Sequence, residues 1–483
     1  LKNEIDLLSR FKVNVFHWHL TDNQGFRFES KLYPQLNSAA AMTRFAGSYY
    51  TQEECTALEA YAAERGMTII PEIDMPGHSA SFTTVMGFEM SSTQGRTVLK
   101  ELLGELAAAF PLAPYIHMGA DEAGTTAEFV NEMSKYIKET LGRRCVVWNP
   151  ISGVSISKST LPYIDMTEMW SSSGSKIDGL PNIDCRYNYV NHFDVFADLV
   201  GIYKSNIYYA QQGSTELAGA ITALWNDRKT PSESDIVCQN NLYANALATA
   251  ERGWIGGGKQ YIEQGGTTLP SIGSELDEFA DWEQRFLYYK NTWLAAEPVP
   301  YVMQTNVKWR ITQPFPNGGT ASAVFPPETA TDDILPESFT YNGTTYGSDV
   351  AVGAGIYLRH TWGSLVPAFL KDPQPDHTVY ARTVIHADRE TDALLWFDTQ
   401  NYSRSEHDLP PPPGEWDWRQ SWIRLDGEPL SPPAWSEDRG REAIPVHLGR
   451  GNHEILIKLP VGAFSTPETR LVKWMFTCQI QPL

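Results

Sequence analysis

Two carboxylates stand side by side at Asp121-Glu122, at the end of the run Tyr115-Ile-His-Met-Gly-Ala-Asp-Glu122. A short apolar stretch leads into Gly119, and the Ala-Gly-Thr-Thr that follows opens a helical pattern. This spacing predicts a strand that feeds a loop, with both acids near the strand's C-terminal end. Adjacent strand residues point to opposite faces, so both acids reach one site only if the chain is already leaving the strand. Paired carboxylates suit general acid–base work, although an Asp-Glu pair also suits a helix start through the helix dipole. Three further stretches carry polar residues in matching places: Phe16-His-Trp-His-Leu-Thr-Asp22, Pro71-Glu-Ile-Asp-Met-Pro-Gly-His78 and Trp225-Asn-Asp227. Polar and Trp residues at four C-terminal strand ends of one repeat point to a common site.

The elements that must position these residues follow from periodicity. Leu1–Phe11 has the apolar spacing of an amphipathic helix, and Lys12–Leu20 reads as a strand. Thr51-x-x-Glu54 is a capping box for a helix that stops at Gly66. Strands at Met67–Asp74, Tyr115–Gly119 and Cys145–Trp148 alternate with helices at Arg96–Phe110 and Ala127–Leu141. Further strands are expected at Ile164–Trp170, Ile183–Val190 and Gly219–Trp225, then a helix at Ser232–Arg252. Strands alternating with helices demand a parallel sheet, so the fold class is α/β. Over roughly 290 residues the natural closed form is the (β/α)8 TIM barrel. One strand is short, and because the chain opens on a helix, the first strand is expected upstream of Leu1. An open doubly wound sheet fits less well, since no Gly-rich phosphate loop follows an early strand. The barrel is therefore assigned to residues 1–297.

From about Pro298 helical periodicity gives way to alternating runs: Val379–Ala387, Ala393–Asp398, Trp422–Leu425, His453–Leu459 and Leu471–Ile480. Turn signals separate them, including Asn342-Gly343 and Asp426-Gly427. Residues 298–483 read as an all-β sandwich, accessory or carbohydrate-binding in character. Core packing and a sugar platform are equally open for its Trp396, Trp416, Trp418 and Trp422. Asn342-Gly343-Thr344 also matches a glycosylation sequon.

Composition narrows the partners. With 38 basic and 58 acidic residues among 483, the formal charge is −20, which argues against nucleic acid or anionic membrane as a main partner. Fifteen Trp suit sugar faces and a large core alike. Five Cys without a C-x-x-C motif indicate neither a zinc ribbon nor a dense disulfide framework. No apolar run reaches the 18 residues of a membrane span. No signal peptide stands at Leu1, but the chain opens without Met in mid-pattern, so compartment is not readable from its start.

On these motifs the chain resembles the β-N-acetylhexosaminidases of glycoside hydrolase family 20. That family's His-x-Gly-Gly-Asp-Glu motif appears as His117-Met-Gly-Ala-Asp-Glu122, with Ala120 in place of the second Gly. Its His-x-His-Leu-Thr-Asp-x-Gln run appears at His17–Gln24, and its Pro-Glu-Ile-Asp-x-Pro-Gly-His run at Pro71–His78. The resemblance covers about residues 1–290 and says nothing of the sandwich. It implies retaining, exo-acting hydrolysis of terminal β-linked N-acetylhexosamine, GlcNAc or GalNAc, in which the substrate's own 2-acetamido group is the nucleophile. Asp121 would then orient and charge-stabilise the acetamide, and Glu122 would be the acid, holding its proton near neutral pH. His78 and Asp22 match the positions of a charge relay toward that acid.

Substrate contacts are implied for Trp148, Trp170 and Trp225, for Tyr189-Val-Asn191 where the family has Tyr-x-Asp, and for Asp227 where it has Trp-x-Glu. His19 is grouped with them. Tyr187-Asn-Tyr189 is an alternative register for the Tyr motif. The family's Arg for the 3- and 4-hydroxyls lies on the first strand, which is not in this chain. No cofactor and no metal are implied. A glycan is the expected partner, and a secreted, periplasmic or cell-surface location follows from that substrate class. Two other readings stay open: a catalytically silent carbohydrate-binding protein, and a metal-dependent barrel hydrolase using His17 and His19, which would be chelator-sensitive.

Overall fold

In a computed structural model of the chain, the structure describes residues 1–190, 197–225, 232–301, 303–330, 336–399, 410–436, 440–465 and 473–483. These residues form two compact units. One comprises Leu1–Asn188, Ile207–Thr222 and Thr249–Gly257; the other comprises Tyr189–Asn206, Ala223–Ala248 and Gly258–Leu483.

The first unit is built on a seven-stranded parallel sheet: β1 (Val15–His19), β2 (Thr68–Glu72), β3 (Tyr115–His117), β4 (Arg144–Asn149), β5 (Ile164–Met169), β6 (Asn182–Asp184) and β7 (Leu217–Ala220). The strands lie in chain order from β1 to β7, and every neighbouring pair is parallel. Helix α1 (Lys2–Ser9) precedes β1, and α2 (Gln52–Ala63), α3 (Ala80–Met86), α4 (Thr93–Ala109) and α5 (Ala127–Lys135) separate the early strands. This is the α/β order of a TIM barrel, with seven parallel strands among the described residues. The helices start where their caps permit: Thr51 accepts from the Glu54 N–H while Glu54 accepts from the Thr51 N–H, and Ser92 and Thr126 cap α4 and α5. One sheet face packs on the helices through Ile69, Ile116, Cys145, Val147 and Ile164. The opposite face carries Ile70, Val146 and Met166 low on the strands. Higher on that face the sheet turns polar.

Strand ends fall short of the periodic runs. The Ile183–Val190 pattern supplies only Asn182–Asp184, and Gly219–Trp225 only Leu217–Ala220. The helix expected over Ser232–Arg252 is two helices, α7 (Glu233–Gln239) and α8 (Leu242–Ile255), broken where Asn241 adopts φ 44. A left-handed residue cannot continue a right-handed helix.

Among the described residues, the second unit contains α6 (Ala197–Lys204), α7, α9 (Tyr261–Gln264), α10 (Ser274–Asn291), two large antiparallel sheets and a two-stranded one at Trp435–Ser436 and Gly440–Arg441. The larger has eight strands, with His377–Ala387, Gly451–Val461 and Trp422–Leu425 at its heart. The smaller orders Gly355–Arg359, Trp474–Pro482, Thr391–Asp398 and Ile444–Leu448. Both sheets bury side chains in one core that includes Trp309, Val379, Ile457, Phe397, Trp416 and Phe476, the layering of a β-sandwich. Asn342-Gly343 and Asp426-Gly427 both take positive φ and close two-residue hairpins. Among the described residues, no helix is long and apolar enough to cross a membrane.

Candidate active site

Four segments meet at the C-terminal ends of β1, β2 and β3. β1 ends in His17, Trp18 and His19, and a tight hairpin at Thr21–Asp22 and Gly25–Phe26 folds Asp22 back. β2 delivers Glu72 and then Asp74, and the turn beyond it ends at His78 in a left-handed conformation, φ 44. β3 delivers His117, and the chain leaves it through Gly119 and Ala120, both at positive φ. A Cβ on Gly119 would lie 1.7 Å from Asp74 Oδ1, so that position requires glycine. The Ala120 N–H donates to the same Asp74 oxygen at 3.1 Å. This bend frees Asp121 and Glu122 from strand alternation.

Around Asp121 and Glu122 the ionisable groups alternate in sign. His78 Nε2 lies 3.2 Å from Glu122 Oε2 and 3.9 Å from Asp121 Oδ2. Its Nδ1 lies 3.6 Å from Asp22 Oδ1. The other Asp22 oxygen meets His19 Nε2 at 3.1 Å, and His19 Nδ1 meets Glu72 Oε2 at 2.9 Å. His17 Nε2 reaches the same Glu72 oxygen at 2.7 Å, while its Nδ1 meets Glu168 at 3.1 Å. Exposure runs the other way: the Glu122 side chain is 58 % exposed, Asp121 14 %, and Glu72 0 %. Asp121 Oδ1 is buried with no hydrogen-bond partner among the described residues.

The charges follow from this packing. Burial opposes a charged His17, but the Glu168 and Glu72 carboxylates outweigh it and push its pKa up to about 10. Contact with Asp22, then with Asp74 and Asp121, outweighs burial and raises His78 to about 9. Asp22 is partly desolvated, yet His19 and His78 hold its carboxyl well below the usual carboxylate range. Burial pushes Asp121 up, with His78 pulling against it. Burial, together with the Asp121 and Glu72 charges, drives Asp74 up strongly. Among the described residues, two groups bring three ligand-type atoms within 4.8 Å of one another, His17 with His117 and Glu168, and Asp74 with His78 and Asp121. In both groups, carboxylate oxygens already face imidazole nitrogens.

Residues 1–94 match the model of the glycosyl hydrolase family 20 catalytic domain. That span holds His17, His19, Asp22, Glu72, Asp74 and His78. This part of the chain is similar to the catalytic domain of glycosyl hydrolase family 20. Relatives include the β-hexosaminidase of Vibrio furnissii, 33 % identical over 35 % of this chain and 37 % of its own length. The β-N-acetylhexosaminidase of Cellulomonas fimi is 30 % identical over 33 % of this chain and 38 % of its own length. The chain thus spans well under half the length of these two relatives. Among solved structures, the β-N-acetylhexosaminidase of Bacteroides fragilis NCTC 9343 aligns with a TM-score of 0.48 at 24 % identity, covering 62 % of this chain and 67 % of that one.

Of the residues singled out in the sequence, His19, Asp22, His78, Asp121 and Glu122 come together at the ends of β1, β2 and β3, the first three within the matched span and the last two beyond it. Trp148 is 2 % exposed, and its indole N–H donates to Glu72 Oε1 at 3.0 Å. Trp170 is partly exposed, and its N–H donates to the Pro150 carbonyl at 2.9 Å. Tyr189 and Trp225 belong to the second unit, where their rings stack at 6.2 Å. Asn191 and Asp227 lie outside the described residues. Sequence reasoning missed Glu72, Glu168 and His117 as site groups. A signal was available: each is an ionisable residue inside an otherwise buried strand.

Proposed function

We propose that the protein is a retaining exo-β-N-acetylhexosaminidase that removes terminal GlcNAc or GalNAc from glycans by substrate-assisted catalysis. The supporting observation is the His78 imidazole nitrogen, 3.2 Å from Glu122 and 3.9 Å from Asp121, at the C-terminal end of β3. Most retaining glycosidases set a nucleophilic carboxylate about 5–5.5 Å from the acid, whereas family 20 uses the substrate's own amide.

In the first step the 2-acetamido oxygen attacks the anomeric carbon. The glycosidic C–O bond breaks, and the leaving oxygen takes the proton of Glu122. Positive charge develops on the cyclising acetamide, forming an oxazolinium ion, and the Asp121 carboxylate faces that charge. The Asp121 oxygen that has no hydrogen-bond partner among the described residues suits the acetamide N–H as donor. In the second step Glu122 takes a proton from water, which attacks the anomeric carbon on the face the leaving group occupied; the bond from that carbon to the acetamide oxygen breaks and restores the amide, so the configuration is retained. A tethered nucleophile has a high effective molarity, so the protein's work is orientation and electrostatics.

The test is release of an aryl alcohol from β-N-acetylglucosaminide and β-N-acetylgalactosaminide, using protein that carries any segment preceding Leu1. Wild type should act on at least one, Glu122→Gln should lose the activity, and a chelator should leave it intact. Chelator sensitivity would support a metal-dependent hydrolase instead, and binding without turnover a sugar-binding protein.

A further inference from the structure

Beneath Glu122 lies a layer of ionisable groups that touch no reacting atom of the proposed mechanism. Strand register puts His19, Glu72 and His117 in one row across β1, β2 and β3, and puts Trp148 beside Glu168 across β4 and β5. Inward positions in such sheets are ordinarily filled by Val, Ile and Leu. Lower on this face they are, with Ile70, Val146 and Met166, so the polar layer is local to the strand ends. Buried charges are costly unless each is paired and hydrogen-bonded. Glu72 is at the centre. Its Oε2 accepts from His17 and His19 at 2.7 and 2.9 Å, and its Oε1 accepts from Trp148 at 3.0 Å and faces His117 Nδ1 at 3.3 Å. Because His19 turns Nδ1 to Glu72, its Nε2 is left to hold Asp22, and Asp22 faces His78, which reaches Glu122. On the far side His17 is tied to Glu168. Carboxylate and imidazole thus alternate without a gap from Glu168 to Glu122.

We infer that Glu72 is a positioning residue for the acid: by gripping His17 and His19 through one oxygen it holds the His19–Asp22–His78 line that aims the Glu122 carboxyl, with Glu168 anchoring the far end. This rests on the assignment of Glu122 as general acid. If the layer served only the core, its loss would lower stability and slow all substrates alike. A positioning role has a different signature, because an acid matters most when the leaving group is a poor one.

The experiment compares kcat and KM for phenyl and 2,4-dinitrophenyl β-N-acetylglucosaminides in wild type, Glu122→Gln, Glu72→Gln and Glu168→Gln. Wild-type turnover, and its selective loss on the phenyl substrate in Glu122→Gln, test the underlying assignment separately; failure of either removes the ground for this inference. Glu72→Gln should lower kcat on the phenyl substrate about 10–100-fold, the cost of misplacing a catalytic group. On the dinitrophenyl substrate its kcat/KM, which reads only the step in which the leaving group departs, should stay within about threefold of wild type, and KM on the phenyl substrate should be nearly unchanged. Glu168→Gln should show the same selectivity with a smaller loss. Equal loss on both substrates in folded Glu72→Gln, or no loss on either, overturns the inference. Should circular dichroism show Glu72→Gln unfolded, Glu168→Gln decides: selective loss supports the role, and equal or absent loss overturns it.

Discussion

At the scale of single residues, the site is a problem of holding charges of both signs in little water. Asp121 is pushed up by burial, so its ionisation requires a higher pH than an exposed Asp does. If the reaction needs Asp121 as an anion, the acid limb of the kcat/KM profile should lie above 3.8, the ordinary Asp value. Asp121→Asn should remove that limb and lower kcat by about 10²-fold or more, as loss of a preorganised charge does. A pH–rate series on both proteins checks this. His17 makes a stability prediction. Its folded pKa, about 10, exceeds its ordinary 6.5, so the folded state binds that proton more tightly. The resulting stabilisation is full below about 6.5 and is lost as pH rises through 10. Glu72 is held well below 4.5 by His19, His117 and His17 against its burial, so its contribution fades as pH falls below that value. The stability gap between wild type and His17→Gln, from urea unfolding, should therefore shrink between pH 6.5 and 10.

At the scale of elements, the exit from β3 decides whether two adjacent acids can share a site. Gly119 has φ 69, and a side chain there would strike Asp74. Gly119→Ala should cost about 1–3 kcal/mol or more from steric overlap and backbone strain, visible as a lowered Tm. Ala120 sits at φ 81 where the family motif has Gly. Ala120→Gly should relieve about 1 kcal/mol of strain, partly offset by a more flexible unfolded chain, so its Tm should be equal to or slightly above wild type. These strands are legible in the sequence because buried parallel strands read as short apolar runs. The Thr51–Glu54 box is legible because capping is local chemistry. The helix Ser274–Asn291 escapes, although Phe279, Trp282 and Phe286 give it a buried stripe, because acidic residues dilute the period. The partners of Glu72 escape for a different reason. Which inward side chains face one another depends on strand register, and register is a long-range property.

At the scale of the whole molecule, the change in texture at Pro298 does not coincide with the edge of a compact unit. Residues 258–483 belong to one unit, together with 189–206 and 223–248. Inside it, Glu283 is fully buried on α10 and accepts from the Tyr301 hydroxyl, the Gln304 and Thr305 N–H groups and the Thr305 hydroxyl. Asp198 of α6 is bound by His360 at 2.8 Å and Tyr357 at 2.9 Å. A fragment starting at 298 discards both carboxylates and leaves their buried partners unsatisfied, at about 1–3 kcal/mol for each lost group. Fragment 258–483, which keeps Glu283, should therefore melt higher and resist limited proteolysis better than fragment 298–483. Equal behaviour would show that the sandwich stands without α10.

The claim on which everything else depends is that the substrate's acetamide is the nucleophile. It is tested most directly by the hydrolysis rates of aryl β-glucosaminides whose N-acyl group carries none, one, two or three fluorines in place of acetyl hydrogens. Fluorine drains electron density from the amide oxygen while barely changing its position. The account predicts a steep, monotonic fall in kcat across the series, together with loss of turnover in Glu122→Gln. A flat series with an active wild type would contradict it, and would point to a protein carboxylate or a bound water as the attacking group.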